Sequence, residues 1–241
     1  MFILSEAEGL RPQLFLGRLL ASKIEDMKLR FLVGVLLVGL AVALAASAYE
    51  NPLRDYSLRE AYFLGRRKDE KTAQFLAQYV KRLPVPKQGP HVAEIELRTP
   101  YEQVVLRARN ALDGYSSQQA TQEYRKQGDR VVLRVLIYLT PTYPAHTPIG
   151  PVQSEPVLVR PEDFWRDFDI RLFQENEVSP RDVRGRPIYT YPEFGLPGLV
   201  GAEVELEFEA DDLAPSEPAR VEILTPDGQR ISALFDLEKL R

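Results

Sequence analysis

The sequence predicts an α+β protein in which a mainly helical part precedes an antiparallel, immunoglobulin-like β-sandwich, behind an N-terminal export segment. Residues 57–128 contain helix start and stop signals, whereas residues 130–241 contain short β-branched runs between prolines and glycines. An uncharged apolar run marks the export segment. We therefore divide the chain into residues 1–48 (signal peptide or anchor), residues 49–129 (mainly helical) and residues 130–241 (sandwich-like domain).

Residues 31–48 form the apolar run of the predicted export segment and contain only apolar or small side chains. Lys28 and Arg30 precede the run, and residues 46–48 read Ala-Ser-Ala, the small-residue pattern that signal peptidases cleave. Met27 opens the basic stretch, so we take it as the true translation start. The run also approaches the ~20 residues that span a bilayer. We expect either cleavage or a retained membrane anchor, with the rest of the chain exported.

The composition points to the bacterial envelope and away from nucleic acid. The chain has no cysteine, which excludes disulfides and thiolate chemistry. Residues 49–241 carry 26 basic and 31 acidic residues, a balance that argues against a nucleic-acid partner. The charge is split, since residues 49–134 have a net charge of +5 and residues 135–241 one of −10. We predict a periplasmic or envelope-associated protein that contacts a membrane only through residues 31–48, if they are retained.

Start and stop signals predict helices in the first half of the exported chain. Ser57 and Glu60 have the spacing of a capping box, in which each side chain satisfies a free amide of the first turn. Thr99 and Glu102 repeat that spacing around Pro100, which favours the first helical position. The predicted helices are residues 57–65, 69–82, 99–114 and 116–128, with a strand at residues 91–97.

Short β-branched runs predict a sheet-rich second half. Arg130–Thr140 is the richest of these runs and is the predicted central strand. Asp227 and Gly228 predict a hairpin with a type I′ turn, because both residues tolerate a positive φ. The other predicted strands are residues 156–160, 168–174, 187–191, 202–210, 220–224 and 230–236. Such strands between proline and glycine turns are typical of an immunoglobulin-like sandwich.

The densest acidic cluster contains the candidate binding residues. Glu162, Asp163, Asp167 and Asp169 lie within eight positions, with Trp165 among them. Several carboxylates on one short loop are typical of a Ca²⁺ site, but the residue order of an EF-hand is absent. Acidic residues after a proline are also typical of a helix start. We predict a binding surface here, without a metal ion or cofactor.

A second acidic pattern consists of Glu203, Glu205, Glu207 and Glu209, which alternate with apolar residues. A period of two places the four carboxylates on one face of a strand. We interpret the row as protection of an exposed strand against edge-to-edge pairing. A surface for a basic ligand or a divalent ion is the alternative.

Aromatic residues of the second half allow two interpretations, a sugar-stacking platform or, as we favour, the sandwich core and its rim. These residues are Phe164, Trp165, Phe168, Phe173, Tyr189, Tyr191 and Phe194. His91 and His146 have no other histidine or carboxylate at ligand spacing, and we expect neither to carry chemistry.

Together these patterns predict a non-enzymatic binding or structural module for a protein or an envelope polymer. One alternative is a carboxylate-dependent hydrolase of envelope glycan or peptide, which needs only two acids about 5–9 Å apart. The sequence leaves enzymatic activity open, because such a pair has no sequence pattern. A second alternative, a membrane-anchored accessory subunit of an envelope complex, follows if residues 31–48 are retained.

Overall fold

The computed structural model describes residues 50–148, 157–191 and 197–241, which belong to one compact unit, Ser47–Arg241. The predicted export segment lies outside the described residues. Within the part of the chain that the structure describes, no helix is long and apolar enough to cross a membrane.

Four helices are found among the described residues. They are α1 (Asp55–Arg67), α2 (Glu70–Ala77), α3 (Pro100–Asn110) and α4 (Ser117–Gln127). The Thr99 hydroxyl accepts a hydrogen bond from the Glu102 amide and caps α3. Ser116 and Gln119 form a complete capping box at α4. The predicted starts of α3 and α4 are therefore confirmed.

The capping box predicted for α1 is wrong. α1 begins at Asp55, so Ser57 lies inside the first turn and its hydroxyl donates to the Glu50 carboxylate. Glu60 instead accepts two hydrogen bonds from the Arg241 guanidinium, each 2.8 Å long. Both side chains therefore bond to residues outside α1 and do not cap its first turn.

The described residues contain eleven strands in three antiparallel sheets. The strands are β1 (Val80–Arg82), β2 (His91–Arg98), β3 (Arg130–Tyr138), β4 (His146–Pro148), β5 (Val157–Val159), β6 (Asp169–Phe173), β7 (Glu177–Val178), β8 (Asp182–Thr190), β9 (Gly198–Glu209), β10 (Pro218–Leu224) and β11 (Arg230–Asp236). A five-stranded sheet has the order β1-β2-β3-β9-β8, a four-stranded sheet the order β11-β10-β6-β7, and β4 pairs with β5. α2 is shorter than predicted, because the residues that follow it leave the helix and pair with β2 as β1.

Inward-facing residues of both larger sheets share one hydrophobic core, as in a β-sandwich. In β3, Val131, Leu133, Val135 and Ile137 are buried at every second position. Phe235 of β11 is a fully buried member of the same cluster. Helices and antiparallel sheets in one unit confirm the predicted α+β class.

A second hydrophobic cluster lies between the helices. Leu58 of α1 and Val105 of α3 are among its buried members. Gly65 lets α1 approach α3 closely, because a Cβ atom there would overlap the backbone oxygen of Val105. Phe75 of α2 packs against both clusters and connects the helices to the sandwich.

The β10–β11 hairpin is confirmed, but its turn is not type I′. Gly228 has a φ of +86°, whereas Asp227 does not adopt a positive φ. A type I′ turn needs positive φ at both central residues. The Gly228 amide instead donates to the Thr225 carbonyl oxygen at 2.9 Å, and Pro226 follows Thr225 in the turn.

Candidate binding surface

Charged side chains cover the outer face of the five-stranded sheet. Alternate residues of its strands point away from the core, and most of these are arginine or glutamate. We call this set the charged face, and its residues are Arg82, Glu94, Glu96, Arg98, Arg130, Arg134, Asp182, Arg184, Arg186, Glu203, Glu205 and Glu207. Basic and acidic groups are equal in number, so the charged face is close to neutral.

Arg134 lies at the centre of the charged face. Its guanidinium lies 2.7 Å from Glu203, 2.9 Å from Glu94 and 3.3 Å from Glu96. Burial by itself lowers the pKa of Arg134, but hydrogen bonds and charges from these carboxylates outweigh it and raise the pKa above its usual value. The Arg134 side chain therefore stays protonated and ties β2, β3 and β9 together.

The glutamate row does not protect an edge strand, and that interpretation is wrong. β9 lies inside the sheet, because it pairs with β3 on one side and β8 on the other. Glu207 lies 2.7 Å from Arg130, and Glu205 lies 3.4 Å from Arg98. Each of the four glutamates has an arginine partner. The row is thus neutralised by its own neighbours.

A cleft of about 370 Å³ opens where the charged face meets α3 and α4. We call it the sheet–helix cleft, and its lining residues are Arg98, Gln103, Leu106, Arg107, Asn110, Gln127, Arg130, Val132, Glu205 and Glu207. Three guanidinium groups and the side-chain amides of Asn110 and Gln127 face two carboxylates, so hydrogen-bond donors predominate even though the Gln103 amide donates to the sheet backbone. Such a cleft suits a ligand that is rich in hydrogen-bond acceptors.

Hydrogen bonds fix the walls of the sheet–helix cleft. The Gln103 side-chain amide donates to the backbone oxygens of Arg98 and Arg130 at 3.2 and 2.6 Å and holds α3 against the sheet. Arg107, one turn further along α3, donates to the Gln127 side chain of α4. The donors of the cleft are therefore held on elements that already bond to one another.

The candidate acidic segment forms a 3₁₀ turn, Phe164–Asp167, which leads into β6. Asp163 lies 3.5 Å from Arg166, and Asp169 lies 2.6 Å from Arg171. Glu162 and Asp163 precede this turn, with Asp163 at its N-cap position and Asp167 as the acidic residue of the turn itself. Among the described residues, no three carboxylate or imidazole groups are placed to hold a metal ion.

Trp165 belongs to the wall of the sandwich. It is half-buried against β8, where Gly185 leaves room for the indole, because a Cβ atom at that position would overlap the ring. The Arg166 guanidinium lies 5.4 Å from the ring centroid. Glu162 lies beside the Tyr189 hydroxyl, and a hydrogen bond between them raises the pKa of Tyr189 to about 12. A binding role for this segment stays a prediction.

Other aromatic residues lie mainly in the core or at its rim. Phe164 and Phe168 are buried, and Phe173 lies beneath Arg220 with 5.1 Å between guanidinium and ring centroid. Tyr191 is 76% exposed, and Phe194 lies outside the described residues. The interpretation as core and rim is therefore confirmed for the buried rings and does not hold for Tyr191.

The two histidines lie on different sheets. His91 begins β2, and one of its ring nitrogens lies 3.0 Å from the Leu83 carbonyl oxygen. His146 begins β4. The contact of His91 is structural, since it ties the β1–β2 connection to the sheet.

Glu102 is a buried carboxyl group close to the charged face. Neither of its side-chain oxygens has a hydrogen-bond partner among the described residues, so the predicted return to the cap of α3 is wrong. Burial, and next the negative charge of Glu96, raise the pKa of Glu102 well above its usual value, while Arg98 opposes the shift. The environment of Glu102 therefore favours its protonated form more than water does.

Sequence reasoning missed the sheet–helix cleft. A signal was present, because Arg130 and Arg134 occupy outward positions between the buried residues of β3. Their glutamate partners on β9 depend on strand register, which no local pattern specifies. The chain matches no protein-family model and no curated protein.

Proposed function

We propose that the protein is an exported, non-enzymatic binding module of the bacterial envelope that holds a protein or an envelope polymer. The sheet–helix cleft carries this proposal, because it gathers three guanidinium groups and three amides on fixed elements. Arginine forks bind carboxylates in a two-pronged geometry, and amides bind hydroxyl and carbonyl groups. The chemistry favours a polymer with carboxylates among its acceptors, such as an acidic glycan or an acidic peptide segment.

The pairing of the two cleft carboxylates supports binding over catalysis. Glu207 accepts a hydrogen bond from Arg130 at 2.7 Å, and Glu205 lies 3.4 Å from Arg98. Both carboxylates are thus bound to arginines of the same sheet and take part in ion pairs within the protein. The hydrolase alternative through Glu162, Asp163, Asp167 and Asp169 has less support, since Asp163 and Asp169 are also engaged in ion pairs.

The cellular setting is part of the same proposal. Export rests on the basic, apolar and small-residue pattern of residues 27–48. Retention of residues 31–48 would make the protein a membrane-anchored accessory subunit instead of a diffusible one. We also propose an immunoglobulin-like strand topology for the sandwich, on the basis of its short antiparallel strands.

The test is a pair of arginine variants in the last turn of α3. Arg107 lines the sheet–helix cleft, whereas Arg109 lies on the same helix and is exposed outside the cleft. We expect Arg107→Ala to weaken binding about tenfold, or about 1.4 kcal/mol, and Arg109→Ala to leave it unchanged. The measurement is co-sedimentation with purified cell-wall sacculi and with an insoluble acidic polysaccharide, against a neutral polysaccharide.

Two outcomes would contradict the proposed function. Equal losses for Arg107→Ala and Arg109→Ala would mean that binding follows overall charge and not the cleft. Release of soluble fragments from the sacculi by the purified protein would identify a hydrolase.

A further inference from the structure

β11 is an open edge of the four-stranded sheet. The Thr225 amide donates to the Gln229 carbonyl oxygen at 3.0 Å, so hydrogen-bonded pairs alternate along the β10–β11 ladder from that point. In this alternation the backbone groups of Ser232 and Leu234 face away from β10. Within the described part of the chain, no backbone or side-chain group bonds to them.

The other long edge strand contains a proline and a bulge, whereas β11 contains neither. β8 contains Pro187, which lacks an amide donor, and its register is interrupted between Ile188 and Tyr189. The remaining outer strands of the two sheets, β1 and β7, have three and two residues. β11 has seven residues in unbroken register without a proline, and its Leu234 is 58% exposed.

The charges of β11 are complementary to those of a second β11. Antiparallel pairing centred on Ala233 places Arg230 opposite Asp236 of the second copy, and Ser232 opposite Leu234 of the second copy. All four of these residues have outward-facing backbone groups, as hydrogen-bonded pairs require. No ion pair of Arg230 is found within the described residues, whereas Asp236 already lies 2.7 Å from Lys239 of its own chain. Pairing would therefore bring Arg230 of one copy beside the Asp236–Lys239 pair of the other at each end of the joined strands, where the Asp236 carboxylate can accept from both cations.

We propose that β11 pairs with β11 of a second copy of this chain across a twofold axis, which joins two four-stranded sheets into one. The interaction goes beyond the proposed function and does not depend on it. It also preserves the two layers of the sandwich, because Ala233 would face Ala233 of the second copy on the inner side of the joined sheet.

Charge reversal tests the register. We expect the unit Ser47–Arg241 to be a dimer in sedimentation-velocity experiments, with a dissociation constant raised at least tenfold in Arg230→Asp and in Asp236→Arg. The double variant, with both changes, restores the opposite charges and should recover the dimer. A wild-type unit that stays monomeric, or a double variant that stays as weak as the single ones, would overturn the proposal.

Single cysteines provide a second test, because the chain has no cysteine of its own. Ala233→Cys places two thiols opposite each other at the twofold axis, within reach of a disulfide. Ser232→Cys is the matched control, since its thiols are offset by two residues and lie too far apart. Under oxidation we expect covalent dimers of Ala233→Cys in at least tenfold excess over those of Ser232→Cys. Equal cross-linking of the two variants would exclude this register, and pairing with another protein's extended segment would leave both monomeric.

Discussion

Among single residues, Glu102 has the environment least suited to a charge. A carboxyl group that is fully buried without hydrogen bonds is more stable protonated than ionised. Its pKa is raised in the folded state, whereas the unfolded chain restores the usual value. Its contribution to stability is therefore complete below the unfolded pKa and is lost as pH rises through the folded pKa.

Replacing Glu102 by methionine should remove this pH dependence. Glu102→Met should be more stable relative to the wild type at high pH than at low pH. The difference in unfolding free energy, variant minus wild type, should be about 1–3 kcal/mol larger near pH 8 than near pH 5. The measurement is urea-induced unfolding followed by circular dichroism. Glu70→Met, at an exposed position of α2, is the control and should show no such difference. If the unfolding free energies of the wild type and Glu102→Met changed in parallel with pH, the raised pKa of Glu102 would be refuted.

At the scale of elements, the charged face connects strands through side chains as well as through backbone hydrogen bonds. Arg134 of β3 contacts carboxylates on both neighbouring strands. Its side chain is 17% exposed, and those of Glu94 and Glu203 are 19% and 18% exposed. Removing the cation would leave three partly buried carboxylates without their shared partner, which is more costly than losing an exposed ion pair.

Arg134→Met should therefore lower the unfolding free energy by about 2–3 kcal/mol. Arg186→Met is the matched control, because Arg186 also contacts Glu203 but is 71% exposed. We expect its effect to stay below about 1 kcal/mol. Denaturant midpoints measured at low and high salt would check both values. Equal losses of unfolding free energy in the two variants would show that Arg134 stabilises the fold no more than an exposed arginine does.

Local chemistry made several elements predictable. Thr99 and Ser116 cap their helices as expected, and β11 has the predicted bounds. β8 was predicted from residue 187 but begins at Asp182, since its arginines and aspartate hide the strand pattern in the sequence. Arg184 pairs with Asp182 of the same strand, but Arg184 and Arg186 also pair with Glu207 and Glu203 of β9. These contacts with β9 exist only in the assembled sheet, which explains why the charged residues of β8 are compatible with a strand.

The sheet–helix cleft could not be predicted for the same reason. Its walls come from β2, α3, α4, β3 and β9, and the lining residues extend from Arg98 to Glu207 along the chain. Arg107 and Glu207 each look like ordinary surface residues in the sequence. Their proximity results from tertiary packing and strand register, neither of which a local pattern contains.

At the scale of the whole molecule, Phe75 connects the helical cluster to the sandwich core. Its ring lies 5.1 Å from Tyr79 and 5.7 Å from Tyr101, between centroids, and it packs against both clusters. Arg241 adds a second connection, because it bonds to Glu60 of α1 and to Tyr79. These contacts favour unfolding of helices and sheets in one transition.

Phe75→Ala tests that cooperativity. We expect the unfolding free energy to fall by about 3–4 kcal/mol, because a large ring is removed from the junction of two clusters. Helical circular dichroism and Trp165 fluorescence should lose stability together. Phe63→Ala, at a 60% exposed position of α1, is the control. Separate transitions for the two signals would mean that residues 49–129 and 130–241 are independent domains.

The interrupted and proline-containing edge of β8 also limits how far copies of the chain could assemble. A strand that can pair on a free side propagates into a fibre only if the product still offers another free side. Pairing through β11 consumes the open edge of the four-stranded sheet, while Pro187 and the bulge beside it block the long edge of the other sheet. Assembly through β11 would therefore close at two copies and would not continue into a fibre.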